Sequence, residues 1–96
     1  GVTSYREGAN RAICIHQVAN MQKVMRAYCN LEQLAPGQEM TDLVDRLQKE
    51  TQVYRELPHC PSGGEYHFHK EGVPEIGSLL MSCSLDAHQP RETVGW

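Results

Sequence analysis

Apolar positions in the first third of the chain recur at helical spacing. From Ala9 to Leu34 there is no Pro and no Gly, and the good helix formers Ala, Gln, Met, Arg and Lys are frequent. At about 100° per residue, Cys14, Met21, Met25 and Tyr28 fall in one sector. Val18, Val24, Cys29 and Leu31 widen it. The expected core face is therefore Cys14, Val18, Met21, Val24, Met25, Tyr28 and Leu31, with Gln22, Lys23 and Arg26 on the solvated side. Ala35-Pro36-Gly37 supplies the stop. Ser4 and Glu7 have capping-box spacing, which would start the helix near Tyr5 and carry it through Gly8 at some cost. A helix over about residues 5–34 is about 45 Å long. A compact domain of this chain length is about 30 Å across. One end of the helix is therefore expected to protrude, and a protruding end usually has a partner.

The pattern then changes. In a connecting region over residues 35–59, Leu43, Val44 and Leu47 give a short second helix one apolar edge, with Thr41 as its expected N-cap. Cys60-Pro61-Ser62-Gly63-Gly64 is dense in turn residues. Glu65 to His69 alternates, with Tyr66 and Phe68 on one face and His67 and His69 on the other, the pattern of a half-buried strand. Leu79 to Leu85 reads as a second strand. The two form an antiparallel hairpin whose register brings Cys83 towards the turn that contains Cys60. The tail after Asp86 is polar and reads as loosely ordered apart from Trp96. The expected fold is α+β: one soluble domain over residues 1–96, with a long N-terminal helix packed on a small antiparallel sheet and a short second helix.

Composition narrows the function. The net charge is −3 with Lys and Arg scattered, which argues against nucleic acid as a partner. No apolar run reaches the ~20 residues of a membrane span. With one Phe and one Trp in 96 residues, the core is marginal, and disulfides, a metal or assembly are the usual supplements.

Four Cys occur, at positions 14, 29, 60 and 83, without a C-x-x-C pair. Cys14 and Cys29 lie about 22 Å apart on one helix and cannot bond to each other. Cys60–Cys83 is the simplest disulfide and implies an oxidising compartment; four reduced, buried thiols are the alternative. His67 and His69, with His59 and Cys60 nearby, have the residue types of a metal site, but strand alternation accounts for the pair. Cys60 beside His59 is adjacency in sequence, not the geometry of an activated nucleophile. Ser62-Gly63-Gly64 lacks the Lys of a phosphate loop, and Asp42 with Asp45, or Asp86 with Glu92, lacks calcium-loop spacing. No catalytic residue, cofactor or metal is expected, and no enzymatic activity.

Taken together, Arg11-Ala12-Ile13-Cys14-Ile15-His16-Gln17-Val18, the helix to Tyr28, Cys60-Pro61-Ser62-Gly63-Gly64-Glu65-Tyr66 and the late Cys83-Ser84-Leu85 with His88 resemble a type IV pilin-like protein. The similarity is greatest to the major-pseudopilin-like subunits of type II secretion and spans about residues 9–88. Three features depart from that pattern: the family's short basic leader, cut before a Phe and followed by an apolar segment with a Glu, is not within this sequence, the late Cys follows Met81-Ser82, not a Pro-x pair, and Cys29 is additional. The resemblance implies a structural subunit of a pilus or secretion pseudopilus, assembled in a helical filament with other pilin or pseudopilin subunits. It also implies an apolar segment ahead of Gly1 that anchors the subunit in the inner membrane, and a periplasmic or cell-surface head that is monomeric or weakly associated alone. The other function class is a small secreted or periplasmic binding module, with metal bound through His67 and His69, joined by His88.

Overall fold

The computed structural model describes residues 2–96, with side chains from Arg6 onward; the side chain of Ser4 falls outside that description, and the first helix already runs through Ser4 instead of starting near Tyr5. The chain is α+β. Helix α1 (Val2–Leu31) is followed by α2 (Leu43–Glu50), a one-turn α3 (Gln52–Arg55), strands β1 (Tyr66–Phe68) and β2 (Met81–Cys83), and a 3-10 turn, η1 (Asp86–His88). The strands pair antiparallel with Tyr66 opposite Cys83 and Phe68 opposite Met81. This is the expected hairpin.

The 30-residue α1 runs the length of a particle measuring 48 × 26 × 19 Å. Its apolar stripe is buried as expected at Cys14, Val18, Met21, Met25 and Tyr28, while Val24 is half-buried. Leu31 departs from the expectation and is 84% exposed. It lies about 100° of helix rotation from Cys14, beyond the edge of the stripe. The helix also ends there, before Ala35-Pro36-Gly37. Gln33 takes a left-handed φ of 57°, the Leu34 amide bonds to the Cys29 carbonyl at 2.8 Å, and the Gln33 amide bonds to the Asn30 carbonyl. This is a Schellman closure, in which the residue after the left-handed one makes the apolar contact. Leu34 accordingly packs on the core in place of Leu31.

Two polar residues of α1 also turn inward. Gln22 is buried: its amide nitrogen donates to the Ser78 and Trp96 main-chain oxygens, and its oxygen accepts from the Leu80 amide at 3.1 Å. It satisfies main-chain groups of the segment just before β2 and of Trp96, as buried polar groups require. The Arg26 guanidinium donates to the Pro74 and Glu75 carbonyls and to Trp96. Lys23 remains exposed as expected.

The main core joins the α1 stripe to Leu43 and Leu47 of α2, Tyr54 of α3, Val73, Leu80 and Met81. Helix α2 starts at Leu43 behind Asp42, which makes no side-chain cap, so Thr41 is not its N-cap. Thr51 caps α3 instead, and this turn places the Tyr54 hydroxyl 2.8 Å from the Met21 carbonyl, to which it donates. A further ladder fragment ties the segment after Pro36 to the loop between the strands, with Glu39 paired to Gly72. Gly72 has no room for a side chain, since a Cβ there would lie 2.2 Å from the Gln38 carbonyl oxygen.

Candidate metal centre

Away from the main core, at the other end of β2, three sulfurs and one imidazole converge. Cys14 comes from α1, Cys60 from the turn before β1, Cys83 from the last residue of β2, and His88 from the last residue of η1. All four are buried, and their donor atoms lie within 4.8 Å of one another. Cys60 Sγ is 3.4 Å from His88 Nδ1 and 3.8 Å from Cys83 Sγ, and Cys83 Sγ is 4.0 Å from His88 Nδ1.

Local structure sets each donor. The helical stripe that buries Met21 and Met25 also turns Cys14 inward. Tyr66, on the inner face of β1, holds its hydroxyl 3.4 Å from Cys14 Sγ and donates to Gln17 Oε1. The Gly63 amide closes a turn on the Cys60 carbonyl at 3.0 Å. Gly64 follows because the backbone runs against the sulfurs: a Cβ there would sit 2.7 Å from Cys83 Sγ and 3.2 Å from Cys60 Sγ. After β2, η1 forms as the His88 amide bonds to the Leu85 carbonyl, and Gln89 donates to the Cys83 and Leu85 carbonyls. The segment around His88, expected to be loose, is therefore fixed, and His88 is 1% exposed.

A carboxylate stands behind the imidazole. Glu7 Oε1 lies 3.0 Å from His88 Nε2, and Ser62 Oγ donates to Glu7 Oε2 at 3.1 Å. A carboxylate at Nε2 keeps the proton on that nitrogen, which leaves the Nδ1 lone pair facing the sulfurs. The hydrogen bond to Glu7 raises the His88 pKa against the opposing effect of burial. The same bond, with that from Ser62, lowers Glu7. Burial raises the Cys14 thiol. Burial also acts to raise Cys60, but the Ser62 and Gly64 amides and the neighbouring thiols outweigh it and lower that sulfur. Within the cluster, Cys60 therefore ionises ahead of Cys14.

The expected Cys60–Cys83 disulfide is replaced by a different arrangement. The two residues do meet, but all four cysteines are unbonded. The 3.8 Å between the two sulfurs is far beyond a bond of about 2.05 Å, and the Cys14 and His88 donors lie within 4.8 Å of both. The metal-site residue types expected from the sequence centre on His67 and His69; the fold brings together a different set that could hold an ion. The His67 and His69 pair lies exposed on the outer face of the hairpin. Cys29 sits elsewhere, in the main core, with its sulfur 3.7 Å from Met25 Sδ.

The order Cys60, His88, Glu7 also matches a nucleophile–base–carboxylate line. The surroundings do not suit that chemistry. His88 is almost fully enclosed, and the Cys14 and Cys83 sulfurs crowd the Cys60 sulfur within 4.8 Å. No helix among the described residues is long and apolar enough to cross a membrane. No family model matches the chain, and neither the curated proteins nor the solved structures contain a match to it.

Proposed function

We propose that this chain is the head of a pilin- or pseudopilin-like filament subunit, which acts by assembly into a helical array and not by turnover of a substrate. The observation that carries this reading is α1: a 30-residue helix whose stripe from Cys14 to Tyr28 is buried in the head while Arg6 to Ile13 is mostly exposed. A long helix whose first turns are mostly exposed offers a neighbour a rigid surface, and repeated head-to-tail contacts of one kind generate an open helical array. The pilin-like elements around Cys14, Cys60-Pro61-Ser62-Gly63-Gly64 and Cys83-Ser84 favour the same role. In this reading the partners are other pilin or pseudopilin subunits, and the head is periplasmic or at the cell surface. An apolar segment joined to the start of α1 anchors the subunit in the inner membrane before assembly. The isolated head is monomeric or weakly associated, because its exposed large apolar residues are few and lie apart in sequence.

The test is expression of the full-length gene, with everything encoded ahead of α1, in a host that has prepilin-processing machinery. The expected result is cleavage of a short leader, retention of about 20 apolar residues on the mature subunit, and recovery in filaments or in a secretion complex. A gene product released as a free protein after removal of an ordinary secretory signal would overturn the reading.

A further inference from the structure

We propose that Cys14, Cys60, Cys83 and His88 form a structural zinc site that fastens α1 to the head. The inference goes beyond the filament reading and does not depend on it.

Three arguments carry it. The first is distance. A tetrahedral ion with Zn–S bonds of about 2.3 Å and a Zn–N bond of about 2.0–2.1 Å separates sulfur from sulfur by about 3.8 Å and sulfur from nitrogen by about 3.5 Å. The observed separations are 3.8 Å for Cys60–Cys83 and 3.4 and 4.0 Å for the two sulfurs to Nδ1. The second is the donor set. Three thiolates and one imidazole in a closed, buried cluster are the ligands of a structural site, and tetrahedral sulfur–nitrogen coordination selects zinc among the common divalent metals. The third is the outer shell. Glu7 fixes the imidazole from behind, and Ser62 Oγ in turn donates to Glu7. A carboxylate on the far nitrogen of a ligating His is the usual support of such a centre. On binding, the three thiols lose their protons to solvent, His88 stays neutral with its proton on Nε2, and no redox change occurs.

The four ligands come from four separate segments. One of them is α1, so the ion is a cross-link between the helix and the hairpin. It takes the place that a Cys60–Cys83 disulfide would hold, and it reaches a third segment that no single disulfide can.

The test uses the full chain, purified in chelator-free buffer, with metal content measured by mass spectrometry and thiols counted after denaturation. One zinc per chain and four alkylatable thiols are expected. Apo protein loaded with cobalt(II) should show the strong visible bands of a tetrahedral ion and thiolate-to-metal charge transfer, both bleached by one equivalent of zinc. Cys14→Ser and His88→Ala should each weaken zinc binding by about 100-fold or more, beyond the 10–100-fold that loss of an outer-shell partner causes. His88→Cys should keep one equivalent, with stronger charge transfer. Cys29→Ser should leave both stoichiometry and spectrum unchanged. A wild-type chain with four free thiols and no zinc after loading, or with the pale spectrum of six-coordinate cobalt, would overturn the proposal whatever the variants do. So would a Cys60–Cys83 disulfide in the protein as purified, or zinc binding untouched by both Cys14→Ser and His88→Ala.

Discussion

The two ends of the hairpin are held to α1 by different physics. At one end, Val18, Met21, Met25 and Tyr28 meet Leu43, Leu47, Tyr54, Leu80 and Met81. Cohesion there is non-directional, about 1.5–3 kcal/mol for each large side chain taken from water. At the other end Cys14, Cys60 and Cys83 are buried, and among the described residues the apolar side chains packed against them are Tyr66 and Leu85. Sulfurs on short side chains, two adjacent glycines and a 3-10 turn offer little apolar area. Order at that end depends on directional contacts: the convergence of four donors, the Glu7 bond to His88 and the Gln89 bonds to the β2 exit. A chain of this size runs short of large apolar residues before its whole length is stapled, and the donor cluster lies where the apolar stripe runs out.

The largest effect that separates the two ends is that of metal. Free zinc at about 1,000 times its dissociation constant should stabilise the fold by about 4 kcal/mol. Urea denaturation with and without zinc, under reducing conditions, measures this, and Cys14→Ser should abolish the zinc-dependent part. At the apolar end, Met25→Ala should cost about 2–4 kcal/mol as a buried large-to-small change, while zinc stoichiometry read from the cobalt spectrum stays unchanged. If Met25→Ala removed the metal, the two ends would be one cooperative site and the comparison would fail.

Much of the apolar end is legible in the sequence, because helical period and strand alternation report which faces are buried. The stripe from Cys14 to Tyr28 and the hairpin follow from period alone, as does the approach of Cys83 to the Cys60 turn. Periodicity does not say where a helix stops, which is why Leu31 reads as core when the left-handed Gln33 hands its place to Leu34. Nor does it foresee Gln22, whose burial answers main-chain groups of the distant segment before β2. The donor cluster is harder to read. Cys14 falls in the stripe and is indistinguishable there from a packing residue, and His88 sits in a polar tail whose turn forms only against α1. The available signal was the five-residue step from Cys83 to His88, read together with the glycine-rich turn after Cys60. A disulfide between Cys60 and Cys83 accounts for two of these residues and leaves nothing in the sequence to link Cys14 with His88.

Smaller effects sharpen the contrast. Gly64→Ala would press a methyl group onto the Cys83 and Cys60 sulfurs. It should cost about 1–3 kcal/mol as overpacking and weaken zinc binding, measured by denaturation and by competition with a chromophoric chelator. Leu31→Ala should change stability by less than about 0.5 kcal/mol, because its side chain is already in solvent; a cost near that of Met25→Ala in the same denaturation assay would place it back in the core.

The most direct test of the metal cross-link is X-ray absorption at the zinc edge on the loaded, full-length chain in solution. The predicted first shell is three sulfurs at about 2.3 Å and one nitrogen at about 2.0–2.1 Å, collapsing when Cys14 is replaced by Ser. A shell of nitrogen and oxygen only, unchanged by Cys14→Ser, would put the ion on exposed groups such as His67 and His69 and contradict the claim that α1 is tied to the hairpin through a buried metal.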